Sequence, residues 1–323
     1  MYREIASNKR RSIVLIGLFV LAWLAIGAIL GLLVGAITDH HSADGQLSHT
    51  ANSSWTPIIV GVLIGAALAL LGILYSLIAG TRLVLRTSGA VRADSASYQQ
   101  VNDLVAALAI GEGIPTPSVY VIEDPSPNAF ATGVSPDKAA ITFTSGLLAS
   151  MDREELEGVV SHEMSHIRNH DIRLLVVVGT LIGLAALLAS ILWRTAFWGS
   201  IGEGEENGGS QLVIVLVAAA ALLTVVGFIF GPLIRLALSR RRESLADVSG
   251  VELTRNPAGL LSALKKLQSN DKPFRRMNHA TAPMCIDDPL QHHRSWYHRL
   301  YDTHPPIEER IAELEKLAVG QTV

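Results

Sequence analysis

Four long apolar runs constrain the fold of this chain more than any other feature. They cover residues 12–37, 57–85, 172–193 and 212–238. About 20 helical residues cross the hydrocarbon core of a bilayer, and none of the runs has a charge in its middle. With 49% hydrophobic residues over the chain, the runs predict a multi-span helical membrane protein. For the third and fourth runs, helices buried within protein are the alternative.

Most of the basic residues that flank the runs lie on one side of them. The exception is Arg194 after the third run, in a loop that also holds Glu203, Glu205 and Glu206. The loop 38–56 contains no Lys or Arg. The flanking basic residues on the other side are Arg3, Lys9, Arg10, Arg11, Arg82, Arg86, Arg92, Arg235, Arg240, Arg241 and Arg242. Because cytoplasmic loops carry an excess of Lys and Arg, both termini and residues 86–171 are predicted to face the cytoplasm of a multi-pass cell-membrane protein.

Each run also carries glycines at helical spacing. The glycines are Gly27, Gly31 and Gly35, then Gly61 and Gly65, Gly179 and Gly183, and Gly227 and Gly231. Small residues on one face let helices approach closely in lipid. The pattern predicts close helix packing, and the general enrichment of glycine in membrane helices is the alternative.

The two polar blocks between and after the runs predict one domain of ordinary size. Residues 1–86 form an N-terminal membrane hairpin, and residues 87–323 form a domain that a second hydrophobic hairpin interrupts. A helix is predicted at 97–108, and strands at 118–122 and 139–143. Asp152 and Glu155 form a capping-box pattern that opens another helix. The fold class is therefore α+β, mainly α, with a small β-sheet.

Charge and cysteine content exclude some partners and linkages. The net charge of −3 argues against a nucleic-acid partner. The single cysteine, Cys285, cannot form an intramolecular disulfide.

The helix that Asp152 opens carries the motif His162-Glu163-Met164-Ser165-His166. Two histidines four residues apart project from one helical face and can share a metal ion. Glu163 can then act as general base toward a water that the metal activates. The alternative is a pair of surface histidines.

A catalytic zinc usually has a third protein ligand, and Glu243 is the candidate here. It follows the fourth run, so a hairpin of the third and fourth runs would bring it beside His166. Asp247, one helical turn later, could accept a hydrogen bond from a ligand histidine. An ordinary charged helix face is the alternative for both acidic residues. A metzincin-type third histidine is excluded because position 172 is Ile172.

These residues resemble the HtpX-type membrane metalloproteases, which are related to the CAAX prenyl proteases. The similarity extends over two leading spans, the H-E-x-x-H helix, a second hydrophobic pair and the pattern Glu243-x-x-x-Asp247. It implies a cytoplasmic zincin-like metalloprotease domain with one Zn²⁺ per chain. His162, His166 and Glu243 would bind the ion, and Glu163 would be the base.

The resemblance implies further site residues. Segment 127–133 resembles an edge strand beside the cleft, so Asn128, Ala129 and Phe130 would contact substrate. His304 would stabilise the oxyanion and Arg310 would steady the site. A turn residue is the alternative for Asn128, and a histidine-rich tail is the alternative for His304. Residues 271–299 match no pattern and are predicted to be an irregular insertion.

The implied function is zinc-dependent endoproteolysis of membrane or misfolded proteins at the cytoplasmic membrane face. The partners are protein or peptide substrates and the lipid bilayer. A CAAX-type prenyl-protein protease is a second candidate, disfavoured because four spans are few for a large intramembrane chamber. A non-catalytic scaffold or transporter is the third, and a transporter would be expected to carry intramembrane charges.

Overall fold

The structure is a computed structural model. It describes residues 2–42, 55–202, 207–237, 240–270, 284–286 and 306–319. The chain divides into two compact units. Unit 1 comprises Met1–Ser12, Ser76–Thr180 and Pro232–Val323, and unit 2 comprises Ile13–Tyr75 and Leu181–Gly231. The predicted domain boundary between residues 86 and 87 stays a prediction.

Four of the described helices are long and apolar enough to cross a membrane, which confirms the multi-span prediction. They are α1 (Tyr2–Ser42), α2 (Thr56–Thr87), α6 (Asp171–Gly202) and α7 (Asn207–Ala237). Of the apolar window of α6, 61% is buried, against 11% for α2. Part of the third run is therefore covered by protein, and the helix is at the same time one of the four candidate spans.

Helices α1 and α2 pack closely through glycine. A Cβ on Gly27 would fall on the carbonyl group of Gly61, and one on Gly65 would fall on the carbonyl oxygen of Trp23. The predicted close packing of the first two runs is therefore confirmed. The same prediction is wrong for Gly183 in the third run and Gly227 in the fourth, where a Cβ would meet no heavy atom of the described residues within 4 Å. Those two glycines fit the general tolerance of membrane helices for glycine.

Unit 1 contains a mixed four-stranded sheet of order β1-β2-β4-β3. Strand β2 pairs antiparallel with β1 and parallel with β4, and β3 pairs antiparallel with β4. The strands are β1 (Val91–Arg92), β2 (Ser118–Ile122), β3 (Ala129–Thr132) and β4 (Ala140–Thr144). The prediction is confirmed for β2 at both ends and for β4 within one residue. Strand β1, only two residues long, was not predicted.

Local signals define the helices beside the sheet. Helix α3 (Gln99–Glu112) ends at Gly113, which adopts the left-handed conformation with φ 68°. Helix α5 (Arg153–Arg168) begins with the predicted capping box. The Asp152 carboxylate accepts from the Glu155 N–H at 2.9 Å, and the Glu155 carboxylate accepts from the Asp152 N–H at 2.8 Å.

Helix α5 lies at the centre of the core of unit 1. The remaining helices of this unit are α4 (Ser145–Ser150), α8 (Arg240–Thr254), α9 (Pro257–Gln268) and α10 (Ile307–Ala318). A Cβ on Gly158 would lie 2.6 Å from the backbone nitrogen of Leu260, so α5 and α9 are in backbone contact. The core side chains of α5 are Leu156, Val159, Val160, Met164 and Ile167. This packing fixes the helix that carries His162, Glu163 and His166.

Candidate metal centre

The structure brings together, inside unit 1, three side chains that could bind a metal ion. His162 and His166 lie on α5, and Glu243 lies on α8. All three are buried. One potential ligand atom from each lies within 4.8 Å of the other two, the only such group found among the described residues.

The distances within this group fit a tetrahedral metal ion. The two histidine Nε2 atoms lie 3.2 Å apart. Each of them lies 3.6 Å from an oxygen of Glu243. Ligands at about 2.0–2.1 Å from a tetrahedral ion are about 3.3–3.4 Å from one another. The two histidine nitrogens match this spacing, and each of them lies 3.6 Å from a different oxygen of the Glu243 carboxylate.

Glycine allows α8 to approach α5 at this point. A Cβ on Gly250 would lie 3.0 Å from the Ser161 hydroxyl and 3.1 Å from the backbone nitrogen of His162. Such distances are shorter than most Cβ contacts, so a larger residue would push the helices apart. The close approach keeps Glu243 within reach of both histidines.

A carboxylate and an arginine lie behind His162. Asp247 Oδ1 is 2.9 Å from His162 Nδ1. Arg310, on α10, donates to both oxygens of Asp247 at 2.7 and 2.9 Å, and to the carbonyl of Ile286 at 2.9 Å. Asp247 therefore holds Nδ1, which leaves Nε2 directed at Glu243 and His166.

A second carboxylate and a second arginine lie behind His166. Asp171 Oδ2 is 3.1 Å from His166 Nδ1, and Arg242 forms an ion pair with Asp171 Oδ1 at 2.5 Å. Neither residue belongs to the site predicted from the sequence. The available signals were weak: Asp171 lies five residues after His166, and Arg242 immediately precedes Glu243.

The electrostatic environment favours a cation. Burial and the nearby Arg310 charge lower the pKa of His162 to about 4, although Asp247 opposes this shift, so its imidazole is neutral. Burial also disfavours charge on His166, but Glu243 and Asp171 outweigh it and raise the pKa of His166 to about 9. The negative potential that attracts a proton to this position would equally attract a metal ion.

Glu163 lies on the same buried helix. It is only 1% exposed, and its negative charge helps to raise the pKa of His166. This carboxylate therefore sits within electrostatic range of the metal-ligand group. Its sequence position next to His162 makes it the nearest acidic neighbour along α5.

The predicted substrate contacts lie on and beside β3, at the edge of the sheet. Asn128 is buried, and its side-chain oxygen accepts from the Ala129 N–H at 2.9 Å. The outer edge of β3 is paired with the chain itself. The Ile286 N–H donates to the Ala129 carbonyl at 2.9 Å, and Phe130 forms an antiparallel bridge with Cys285.

Two regions predicted from the sequence lie wholly or mostly outside the residues that the structure describes. His304 lies outside the described residues. Of the predicted irregular insertion 271–299, only Met284–Ile286 is described. The side chains of Met284, Cys285 and Ile286 are buried. This short segment contacts β3 through Cys285 and accepts a hydrogen bond from Arg310 at the Ile286 carbonyl.

Comparison with known proteins places the chain in a family. The profile of Peptidase family M48 matches residues 95–318. "Protease HtpX homolog" of Listeria monocytogenes serotype 4a (strain HCC23) is 38% identical over 98% of this chain and 100% of that protein. The homolog of Caldanaerobacter subterraneus subsp. tengcongensis is 42% identical over 78% of this chain and 84% of that protein.

One solved structure also aligns along the chain. The crystal structure of S. mikatae Ste24p covers 98% of this chain and 67% of that chain, with 20% identity and a TM-score of 0.47. The family profile covers more than half of the chain, and the Listeria relative is matched over its whole length. The chain belongs to Peptidase family M48, as an HtpX-like metalloprotease with four candidate membrane spans.

Proposed function

We propose that this protein is a zinc-dependent endopeptidase that cleaves membrane or misfolded proteins at the cytoplasmic face of the cell membrane. The observation that carries the proposal is the convergence of His162, His166 and Glu243, whose potential ligand atoms lie within 4.8 Å of one another in a buried site. Family membership supplies the protease activity, and the site geometry supports the metal.

The donor set favours zinc. His162 and His166 each offer Nε2, Glu243 offers a carboxylate oxygen, and two histidines with one glutamate are a known set for catalytic zinc. One ion per chain is expected. When bound, zinc would polarise a peptide carbonyl and lower the pKa of a water molecule.

The residues around the metal ligands would transfer the proton, orient the ligands and stabilise the oxyanion. Glu163 would accept a proton from the attacking water and donate it to the leaving amine. Asp247 holds His162 in one tautomer, and Arg310 keeps Asp247 ionised and oriented: although burial opposes it, this contact lowers the pKa of the Asp247 carboxyl. The resemblance assigns His304 to the oxyanion, where a ring N–H would donate.

We assign substrate contact to Asn128, Ala129 and Phe130. An extended peptide can bind by adding to the edge of a sheet. Because Ile286 already donates to the Ala129 carbonyl, a peptide pairing there would take over that hydrogen bond. Asn128 would act mainly by holding the Ala129 N–H, since its own side chain is buried.

The cytoplasmic orientation rests on the distribution of Lys and Arg. The loop 38–56 contains none, whereas residues 1–11 contain Arg3, Lys9, Arg10 and Arg11. The positive-inside rule then places both termini in the cytoplasm. An even number of spans places the metal centre on the same side.

The deciding experiment compares Glu163→Gln with Glu157→Gln, a change on the same helix at a partly exposed position. The full chain in detergent micelles is tested for zinc by mass spectrometry and for cleavage of unfolded casein. Glu163→Gln should retain about one zinc and lose at least about 100-fold in rate, whereas Glu157→Gln should resemble the wild type. Undiminished cleavage by Glu163→Gln would refute the mechanism.

The metal itself is tested with His162→Ala. The wild-type chain should contain about one zinc ion, and this variant should contain far less because one of three protein ligands is gone. Equal zinc content in the two proteins would contradict the proposed site.

A further inference from the structure

We infer that Asp171 and Arg242 form a positioning pair for the metal centre, in which Asp171 orients His166 and Arg242 holds the start of the helix that carries Glu243. The inference rests on the proposed metal site. It concerns two residues that the H-E-x-x-H and E-x-x-x-D motifs do not contain.

The first support is that Asp171 bridges two partners. Its Oδ2 lies 3.1 Å from His166 Nδ1, and its Oδ1 lies 2.5 Å from Arg242. Asp171 is 2% exposed and Arg242 is 5% exposed. The carboxylate therefore uses one oxygen for the histidine and the other for the arginine, away from solvent.

The second support is the consequence for His166. A carboxylate facing Nδ1 favours the tautomer with the proton on that nitrogen. Once a metal ion displaces the proton on Nε2, the lone pair of this nitrogen is available, and Nε2 is the atom that faces His162 and Glu243. Asp171 thereby does for His166 what Asp247 does for His162.

The third support is the place of Arg242 in the chain. It is the residue before Glu243 on α8, and Asp171 is the first residue of α6. The ion pair therefore joins the two ends of the segment that contains α6 and α7. Because consecutive residues of a helix move together, anchoring Arg242 also restrains the direction of Glu243.

Stability alone is a weak reason for this arrangement. Two buried charges lose their hydration, and replacing such a pair by apolar residues is often neutral or stabilising. An aspartate in the first turn of α6 would favour the helix dipole without any arginine. Arg310 and Asp247 repeat the same combination behind the other histidine. The repetition indicates that both pairs serve the ligands.

The test measures cobalt(II) binding by the metal-free full chain in detergent micelles. The variants are Asp171→Asn, Arg242→Gln and Arg242→Lys. Arg168→Gln is the matched control, because it removes an ion pair with Glu112 from the same end of α5. The readouts are the cobalt dissociation constant and the visible absorption spectrum, which reports ligand geometry.

Asp171→Asn and Arg242→Gln should each weaken cobalt binding about 10–100-fold and alter the spectrum, as losses of outer partners of metal ligands typically do. Arg242→Lys keeps the charge and should restore most of the affinity. Arg168→Gln should stay within about twofold of the wild type. Adding Arg242→Gln to Asp171→Asn should cost less than the product of the two single effects, since both act through one carboxylate.

Three results would overturn the inference. The first is an Arg242→Gln variant with an unchanged spectrum and a cobalt affinity within about threefold of the wild type. The second is a double variant in which the two losses of affinity multiply. The third is a control, Arg168→Gln, that weakens cobalt binding as much as the other variants do. Circular dichroism of each metal-free variant checks folding, and the comparison of Arg242→Lys with Arg242→Gln still decides the question if Asp171→Asn does not fold. Absence of cobalt binding by the wild type would refute the proposed metal site and this inference with it.

Discussion

Replacing Arg310 by Met should destabilise the metal-free protein strongly. Arg310 is 2% exposed and makes two hydrogen bonds to Asp247 and one to the Ile286 carbonyl. Its removal leaves a buried carboxylate without its arginine, a loss that typically costs about 3–5 kcal/mol. For a domain of about 150–250 residues, 1 kcal/mol changes the melting temperature by about 2–4 °C. The expected decrease is therefore about 6–20 °C.

The assay is thermal unfolding followed by circular dichroism, on chelator-treated protein in detergent. Metal is removed because ligand binding would stabilise the folded state independently. Lys265→Met is the matched control: its ion pair with Glu315 has a similar length, but both side chains are 51% exposed. Exposed pairs contribute about 0–1 kcal/mol, so the control should shift by at most about 4 °C.

A double variant separates charge burial from lost packing. Asp247→Asn added to Arg310→Met removes the uncompensated charge, so the combined destabilisation should be smaller than the sum by about 0.5–3 kcal/mol. The reasoning would be refuted if Arg310→Met shifted the midpoint no more than Lys265→Met does. Strict additivity in the double variant would equally show that the two side chains are not energetically coupled.

Two further predictions concern the frame around the site. Burial opposes ionisation of Glu155, but hydrogen bonds and the charge of Lys266 lower the pKa of Glu155 below its ordinary value. The stability gained is therefore present above about pH 4.5 and lost as pH falls through the lower, folded-state pKa. The melting temperatures of wild type and Glu155→Gln should therefore converge as the pH falls below 4.5. A difference in melting temperature between the two proteins that stays constant from pH 7 to pH 3 would contradict this prediction. In α1, Gly27→Ala places a methyl group against the backbone of Gly61 and should lower the free energy of unfolding by about 1–3 kcal/mol. The control is Gly17→Ala, whose added methyl group would meet no heavy atom of the described chain within 4 Å. In the same thermal unfolding assay in detergent, this control should be neutral or slightly stabilising. Equal effects of the two changes would argue against the glycine contact.

Local patterns predicted much of the fold. The four candidate spans follow from hydropathy, which depends only on neighbouring residues. The capping box at Asp152 and Glu155 was recognised because both partners lie within one helical turn. Strand β2 was predicted at its observed ends because its residues alternate between flanking turn signals. Strand β1 was missed because two residues are too few to show a period.

Contacts between distant segments were not predictable in the same way. The pairing of Ile286 with Ala129 joins a segment with no recognisable pattern to a strand edge. The role of Asp171 was hidden because an aspartate at a helix start has an ordinary explanation in the helix dipole. Only its two simultaneous contacts, to His166 and Arg242, distinguish it.

The sequence by itself determined how the two histidines of α5 are arranged: the i, i+4 spacing puts His162 and His166 on one face, and this geometry is internal to a single helix. It also made Glu243 a candidate ligand, but an ordinary charged helix remained an equal explanation. Tertiary structure decided that Glu243 reaches both histidines and that a different carboxylate lies behind each histidine. Those outcomes depend on how α5, α6 and α8 pack, including the close approach at Gly250, and packing between segments distant in sequence cannot be read from local spacing.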